Sequence, residues 1–209
     1  MIFVNFKTFK EGRGEHGLTL VKIIDEVSSS SGVLITPVVQ LNDAAEAIEI
    51  TKLSVWIQQL EKPAEEIIAV GIKGAFLNHS DHKYQSWDEL ARDAENCKKA
   101  GLKTVVFAEN IDELKRVLEL KPDFAAYEPK NLIGSSTTSV VEENSDVIKA
   151  AYEAAKEAGV GLIVGAGIHN AVEVKKSLEL GAVGVAIATD VVKADDPKKE
   201  LLDLIEGFK

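Results

Sequence analysis

The stretch that decides the fold is residues 161–187, GLIVGAGIHNAVEVKKSLELGAVGVAI. A short apolar run at Gly161–Val164 precedes a helical pattern over Ala171–Leu180, and a second apolar run follows at Val183–Ile187. Apolar residues in the middle segment recur every three or four positions, which is the spacing of an amphipathic helix. Leu180-Gly181-Ala182 is typical of a helix C-cap that leads into a strand. The stretch therefore predicts a strand, a helix and a second strand parallel to the first.

The same alternation runs from end to end of the chain. Strands are predicted at Ile2–Phe6, Val33–Pro37, Leu53–Gln58, Gly74–Leu77, Thr104–Phe107, Phe124–Tyr127, Gly161–Val164 and Val183–Ile187. Helices are predicted at Gly17–Val27, Trp87–Ala100, Ile111–Leu120, Ser145–Ala158, Ala171–Leu180 and Pro197–Ile205. Eight regularly spaced units without a linker predict a single (β/α)8 barrel over residues 1–209, and Ser28–Ser31 is read as a helix-to-strand turn. The alternative is an open doubly wound sheet, which the lack of a dinucleotide-type loop after the first strand disfavours.

Composition and charge exclude several classes of function. The 209 residues are 45% hydrophobic and 28% charged, with a net charge of −10 and no basic stripe, so nucleic acid is not an expected partner. No apolar run approaches the length of a membrane span and the N-terminus has no basic leader, so we expect a cytoplasmic protein. Cys97 is the single cysteine, which excludes an internal disulfide and a cysteine-based zinc cluster.

Glu128 is the first candidate for a catalytic group. It ends the apolar run Ala125-Ala126-Tyr127 and is followed by Pro129 and a loop rich in Gly, Ser and Thr over residues 134–139. Taken alone, this pattern favours a solvated loop acid. In a barrel, however, the loops after the strands carry the active site, and a carboxylate beside a loop that can close over it is typical of a shielded general base.

The polar residues that follow the strands form a recognisable series. They are Asn5 and Lys7, Gln58-Gln59, Asn78-His79-Ser80-Asp81, Glu128-Pro129, Gly165-Ala166-Gly167-Ile168 and Ala188-Thr189-Asp190. Together with Leu132-Ile133-Gly134 and Val192-Lys193-Ala194, this series resembles the triosephosphate isomerase family over the whole chain and in the same order. The short archaeal type is the most similar. The resemblance implies a TIM barrel, a small phosphorylated carbonyl substrate, and neither a metal nor an organic cofactor.

The resemblance also implies roles for individual residues. Glu128 is expected to be the base that moves a proton between neighbouring carbons, Lys7 the cation beside the substrate, and Asn5 a residue that sets their geometry. Ser80 and Asp81 are expected to support Lys7 and the electrophile. The remaining residues are assigned to phosphate binding, namely Gly165, Ala166, Gly167, Ala188, Thr189 and Ser136, and to a closing lid, namely Gly134 and Ser135.

Four positions depart from the pattern that we attribute to the family. The electrophile is expected at the tip of strand 3, where Gln59 stands and cannot relay a proton as an imidazole does. His79 is not taken as its substitute, and His169 is expected at the surface. Asp81 is one methylene shorter than the usual Glu, which is expected to endanger its contact with Lys7. Asp190, in place of a small residue, is expected to repel a phosphate unless it caps the turn, and Ser136 replaces a lid glycine.

Two further expectations concern assembly and function. The segment after strand 3, Leu60–Glu65, is short, so the usual dimer contact is expected to be lost and the chain to be a monomer or a different assembly. The main functional prediction is a slow triosephosphate isomerase. The alternatives are a non-catalytic homologue that binds a phosphorylated metabolite or a protein, and an isomerase or lyase for another small carbonyl compound.

Overall fold

Eight parallel strands form a closed barrel in chain order, in a computed structural model that describes residues 1–132 and 145–209. The strands are β1 (Ile2–Asn5), β2 (Ile35–Val39), β3 (Trp56–Ile57), β4 (Gly74–Leu77), β5 (Lys103–Ala108), β6 (Phe124–Tyr127), β7 (Gly161–Val164) and β8 (Gly184–Ile187). Strand β1 pairs on one side with β2, with Ile2 opposite Ile35, and on the other with β8, with Ile2 opposite Val185. The predicted (β/α)8 barrel is confirmed, and the open sheet is excluded.

The helices lie outside the barrel, as the amphipathic patterns predict. In the described residues they are α1 (Gly14–Ser31), α2 (Leu41–Ile50), α3 (Ala64–Val70), α4 (Trp87–Ala100), α5 (Ile111–Glu119), α6 (Ser145–Ala158), α7 (Ala171–Glu179), α8 (Thr189–Val192) and α9 (Pro197–Glu206). None of these helices is both long and apolar enough to cross a lipid bilayer. That residues 1–209 form one domain stays a prediction.

Helix α1 corrects the predicted turn at Ser28–Ser31, because these serines are helical. The hydroxyl groups of Ser30 and Ser31 donate to the carbonyl oxygen of Val27 at 3.1 and 2.7 Å, so they bond back onto the helix instead of ending it. The helix ends at Gly32, whose φ of 74° provides the left-handed cap. A run of serines therefore does not by itself mark the end of a helix.

Strands β2 and β3 also differ from their predicted bounds. Strand β2 begins at Ile35 and continues past Pro37 to Val39. Proline does not end the strand, because it removes only one N–H donor and the neighbouring carbonyl groups can still accept hydrogen bonds. The backbone N–H of Phe6 donates to the carbonyl of Val38 at 2.9 Å. Strand β3 contains only Trp56 and Ile57, which is shorter than the apolar run around it.

Large aromatic side chains fill the inside of the barrel below the strand ends. The ring of Phe3 meets Trp56 and Phe76 edge to face, with centroids 5.0 and 5.6 Å apart. Gly74 is required beside them, since a Cβ atom there would lie 2.4 Å from the ring of Trp56. Phe76 packs in turn on Phe107 at 4.8 Å. This aromatic floor closes the barrel from below, so any cavity at the strand ends is open on one side only.

Truncation of the floor tests this packing. Phe3 is 1% exposed, so Phe3→Ala is expected to lower the free energy of unfolding by about 3–5 kcal/mol through lost burial and the cavity left behind. Urea denaturation followed by circular dichroism measures the change. Val172→Ala, at a side chain 74% exposed, is the control and is expected to change it by less than about 0.5 kcal/mol. Equal effects of the two variants would contradict the packing described.

Candidate active site

A cavity lies at the carboxyl ends of the strands, directly above the aromatic floor. Its wall combines residues from the ends of β1, β4, β6, β7 and β8 with the rings of Phe76 and Phe107. Three residues next to it have positive φ although they are not glycine: Lys7 at 48°, Asn78 at 58° and Ala166 at 68°. Such conformations cost about 1–3 kcal/mol each and persist where the surrounding structure requires them. Their position at the ends of three strands marks this rim as the functional face of the barrel.

Glu128 is a buried carboxylate in this cavity. Strand β6 presents it directly after Tyr127, and its backbone N–H donates to the carbonyl of Ala108 at 2.9 Å. The residue is 8% exposed, and a Cβ atom at Gly165 would lie 2.9 Å from its Oε1, so the glycine leaves room for the acid. Burial raises the pKa of Glu128 to about 7, and Asp81 adds to the rise while Lys7 and a hydrogen bond from Ser80 oppose it. A carboxylate with this pKa is suited to accept a proton near neutrality.

His79 lies next to Glu128 at the cavity wall in its neutral form. The backbone N–H of Asp81 donates to His79 Nδ1 at 3.1 Å, so the ring carries its proton on Nε2. That Nε2 lies 3.4 Å from Oε2 of Glu128. Burial of the imidazole and the positive charge of Lys7 lower its pKa to about 4, against the opposing effect of Asp81. His79 therefore offers an uncharged N–H donor beside the carboxylate.

Lys7 and Asn5 complete this side of the cavity. Lys7 Nζ lies 3.2 Å from Oδ2 of Asp81, so the contact that the shorter acid was expected to endanger is made. The side-chain oxygen of Asn5 accepts the backbone N–H of Lys7 at 2.9 Å, and Gln40 donates to the carbonyl of Lys7 at 2.8 Å. These two hydrogen bonds hold the left-handed conformation of Lys7. The Asn5 Nδ2 lies 3.5 Å from His79 Nε2, so two N–H groups converge on one region of the cavity.

The loops after β7 and β8 form another part of the cavity wall. Ala166, Gly167, Ala188 and Thr189 line it, as does Asp190. Gly165, the first residue after β7, lies against the side chain of Glu128 and is not one of these lining residues. Of the described residues, no group of three or more His, Cys, Asp or Glu side chains is arranged to hold a metal ion.

Comparison with known proteins agrees with this geometry. The family model described as triosephosphate isomerase matches residues 1–208. The triosephosphate isomerase of Methanocaldococcus jannaschii is 34% identical, over 99% of this chain and 99% of the relative, and that of Methanopyrus kandleri is also 34% identical, over 100% and 97%. That of Thermoplasma volcanium is 30% identical over 98% and 99%. The chain belongs to the triosephosphate isomerase family.

Solved structures of other enzymes share the barrel alone. An orotidine 5'-phosphate decarboxylase from Pyrococcus horikoshii superposes with a TM-score of 0.68 at 13% identity, over all of both chains. An archaeal fructose 1,6-bisphosphate aldolase gives 0.65 at 16% identity, over 99% of this chain and 93% of that one. At these identities the likeness concerns the fold, while the match to the triosephosphate isomerases extends to the sequence.

Some of the site residues predicted from the sequence of this triosephosphate isomerase homologue line the cavity, and others do not. Asn5, Lys7 and Glu128 lie together in the cavity as expected. Gln59 is half-buried and is not among the described residues that line the cavity, whereas His79 lines it. The signal for His79 was its place directly after β4, at the same barrel rim as Glu128. The lid residues Gly134, Ser135 and Ser136 lie outside the described residues.

The structure corrects the place that the sequence predicted for His169. It was expected at the surface, but its side chain is only 19% exposed and lines the cavity beside Gly167 and Thr189. Its Nδ1 lies 3.1 Å from Oδ1 of Asp190, which is in the first turn of α8. Asp190 therefore has a local partner at the end of the cavity where it was expected to repel an anion.

The raised pKa of Glu128 predicts a pH-dependent penalty on folding. Because the folded-state pKa lies above the unfolded value of about 4.5, the folded protein binds the extra proton and Glu128 destabilises it as pH rises from about 4.5 to about 7. Glu128→Gln removes this penalty. Its free energy of unfolding relative to the wild type is expected to rise by about 3 kcal/mol between pH 4.5 and pH 8.

Urea denaturation at both pH values measures that difference, and comparison with the wild type cancels the opposite contribution of His79. Glu61→Gln, at an exposed acid, is the control and is expected to show no such rise. A flat difference for Glu128→Gln would mean that the carboxyl titrates like a solvated one.

Proposed function

We propose that the chain interconverts glyceraldehyde 3-phosphate and dihydroxyacetone phosphate through an enediol intermediate. The observation that carries the proposal is the buried carboxylate of Glu128 facing the neutral imidazole of His79, with Nε2 and Oε2 3.4 Å apart. Lys7 adds a positive charge to the same cavity. Membership of the triosephosphate isomerase family supports the same reaction. The cytoplasmic location expected from the sequence is part of this proposal.

The chemistry follows from the two pKa shifts. Glu128 takes a proton from the carbon next to the substrate carbonyl, and the electron pair of that C–H bond moves onto the carbonyl oxygen. His79 Nε2–H, the amide N–H of Asn5 and the Lys7 ammonium stabilise the negative charge that forms there. Glu128 then returns the proton to the neighbouring carbon. Triosephosphate isomerases are themselves the standard example of a carboxylate base paired with a neutral histidine electrophile.

His79 replaces Gln59 as the electrophile in this proposal. An imidazole can donate through Nε2 to one oxygen of the enediolate and recover a proton from the other, which an amide cannot do. The contact of Asp81 with Lys7, at 3.2 Å, supports a complete electrophilic side. The expectation of a slow enzyme rested on Gln59, so we propose an isomerase that is not impaired at this position.

We assign phosphate binding to the loops after β7 and β8. Gly167, Ala188 and Thr189 line the cavity there, as does Ala166, and Gly165 begins the loop after β7. Barrels of this fold frequently bind phosphate with the loops after strands 7 and 8. Ser136 is proposed to reach the phosphate from the lid, and Gly134 and Ser135 are proposed to belong to that lid.

One observation favours a second candidate function. Asp190 places a carboxylate at the proposed phosphate end, 36% exposed, and like charges in such proximity oppose each other. A small carbonyl compound without a phosphate would avoid this repulsion. This candidate predicts turnover of an unphosphorylated triose and no effect of added phosphate or sulfate.

The isomerase assay separates the two assignments of the electrophile. With glyceraldehyde 3-phosphate, Glu128→Gln is expected to lower kcat by about 10²–10⁴-fold and His79→Gln by about 10²–10³-fold. Gln59→His is the matched control and is expected to leave kcat unchanged, because residue 59 lies beyond the described cavity wall. A rise in kcat with Gln59→His, together with an active His79→Gln variant, would contradict the role given to His79. Inactivity of the wild type would contradict the proposed function.

We also propose that the chain is a monomer or forms an assembly unlike the usual dimer. Only residues 58–63 separate β3 from α3, which leaves little chain to reach a partner. Light scattering at micromolar concentration is expected to give the monomer mass of 22.6 kDa. A stable dimer that uses the loop after β3 would contradict this.

A further inference from the structure

Asn78 forms the turn that joins the end of β4 to His79. It follows Leu77, the last residue of the strand, so its backbone dihedral angles set the direction of the chain just before the histidine. Its φ is 58°, in the left-handed region, which asparagine tolerates when its short polar side chain is hydrogen-bonded locally. The place of the His79 ring therefore depends on what holds Asn78.

The side chain of Asn78 is buried, and both ends of its amide group have partners. Its Nδ2 donates to the carbonyl oxygen of Phe107 and to Oε1 of Glu113, at 2.9 Å in each case. Its Oδ1 accepts the backbone N–H of Tyr84 at 3.4 Å. Because a carbonyl and a carboxylate can only accept, the amide is fixed in this orientation and both of its hydrogens are used. The tip of β4 is thus tied to β5 and to α5.

The acceptor on α5, Glu113, is not one of the residues that line the cavity, but its carboxylate is firmly held. Oε2 accepts the backbone N–H of Glu109 at 2.8 Å, and the ammonium group of Lys83 lies 2.8 Å from Oε1 and 3.1 Å from Oε2. Burial acts to raise the pKa of Glu113, but the hydrogen bonds that the carboxylate accepts, first among them that from Glu109, outweigh it and the pKa is lowered. The carboxylate is therefore ionised at neutral pH and can only accept from Asn78.

An ion pair on the outside of the barrel is the plainer explanation of Glu113. Such half-exposed pairs contribute little to stability, and Glu109 makes an equivalent one, with its Oε1 3.1 Å from Nζ of Lys83. Of these two acids, Glu113 is the one that also reaches the buried amide of Asn78. If that acceptor is lost, an N–H group of a buried amide is left unpaired, so the side chain has to turn toward another acceptor. The left-handed turn before His79 then loses its support.

The ring of His79 is held through the same neighbours. It meets the ring of Phe107 edge to face, with centroids 4.7 Å apart, and the carbonyl group of Phe107 is the second acceptor of Asn78. On its other side, Nε2 lies 3.4 Å from Oε2 of Glu128. A rotation of the chain at Asn78 moves Nε2 within the cavity, and a displacement of about 1 Å can cost about 10²-fold in rate.

We propose that Glu113 is a positioning residue for His79. Its carboxylate fixes the amide of Asn78, the amide holds the left-handed turn after β4, and that turn directs Nε2 of the imidazole at the oxygen atoms of the substrate. Since Glu113 lies outside the cavity, it acts on the reaction through Asn78. The proposal rests on the proposed function, because His79 is the electrophile of that reaction.

Two matched substitutions separate positioning from charge. Glu113→Met and Glu109→Met each remove a carboxylate that contacts Lys83, at side chains that are 23% and 25% exposed, but the first also removes an acceptor of Asn78. With glyceraldehyde 3-phosphate, Glu113→Met is expected to lower kcat about 10–100-fold and to leave KM within about twofold, because the lost interaction belongs to the transition state. Glu109→Met is expected to change both by less than about twofold.

The pH of this assay is chosen for the catalytic base. Glu109 is the weakest of the groups that shift the pKa of Glu128, which is about 7. At pH 8 most of the Glu128 carboxylate is ionised in the wild type and in both variants, so the comparison reports the electrophile and not the base.

Asn78→Gly tests the route from Glu113 to His79. Glycine adopts the left-handed conformation without a side chain that needs an acceptor. In the Asn78→Gly background, Glu113→Met is expected to change kcat by less than about twofold, a non-additive result for two residues that act through one contact. A fall of the same size as in the wild-type background means that Glu113 acts by another route and overturns the inference.

Nitrogen-15 magnetic resonance of the histidine rings follows His79 without any substrate. A ring with its proton fixed on Nε2 gives two well-separated nitrogen resonances, and the N–H of Asp81 holds this form by donating to Nδ1 at 3.1 Å. A loosened ring exchanges between tautomers, so its two resonances approach each other. This shift is expected in Glu113→Met and not in Glu109→Met, and His79→Gln identifies the signals among the four histidines of the chain.

The outcomes distinguish this inference from the proposed function. Isomerase activity in the wild type, with equal kcat in Glu113→Met and Glu109→Met or with unchanged His79 resonances in Glu113→Met, overturns the inference and leaves the function standing. A shift of those resonances confined to Glu113→Met, in a chain without isomerase activity, supports the positioning of His79 and overturns the function.

Discussion

Closure of the sheet is the constraint on which every other feature of this molecule depends. The pairing of β1 with β8 places the first and last strands side by side, with Phe3 opposite Ala186. Only then do Lys7 near the start of the chain, Glu128 beyond its middle and Thr189 near its end line one cavity. Since all strands are parallel, their carboxyl ends meet at one rim, and the aromatic floor below excludes water from the other side. The strand topology therefore determines which side chains line the active site.

Burial then gives the two central side chains their chemistry. The same loss of solvent raises the pKa of Glu128 to about 7 and lowers that of His79 to about 4, because it disfavours the charged form of each. The carboxylate of Glu128 is therefore basic enough to accept a proton near neutrality, and the imidazole of His79 stays an uncharged hydrogen-bond donor. Burial also lowers the free energy of unfolding, since the ionised carboxylate of Glu128 is removed from water in the folded protein. Function and stability oppose each other at this residue, as they commonly do in active sites.

Much of this could be predicted from the sequence, and the failures have physical causes. The alternation of apolar runs and helical patterns was sufficient for the barrel, and the places of Glu128, Lys7 and Asn5 after strands were sufficient to predict that they lie together at one rim. The sequence could not tell which of His79 and Gln59 lines the cavity, because both follow a strand end and the direction of a side chain there depends on the local turn. The Nδ1 contact of His79 with the backbone N–H of Asp81 is such a turn, within the 3-10 segment Ser80–His82. The contact between His169 and Asp190 joins residues 21 apart in sequence, which no local pattern reveals.

The central claim is that Glu128 moves a proton between carbon atoms of the substrate in the cavity at the strand ends. Proton magnetic resonance of dihydroxyacetone phosphate in D2O with the protein tests this directly, because the base exchanges the abstracted proton with solvent. The account predicts that deuterium enters one of the two hydrogen positions of the hydroxymethyl carbon next to the carbonyl, and that Glu128→Gln abolishes this exchange. Exchange that persists in Glu128→Gln, or that replaces both hydrogens equally, would contradict it.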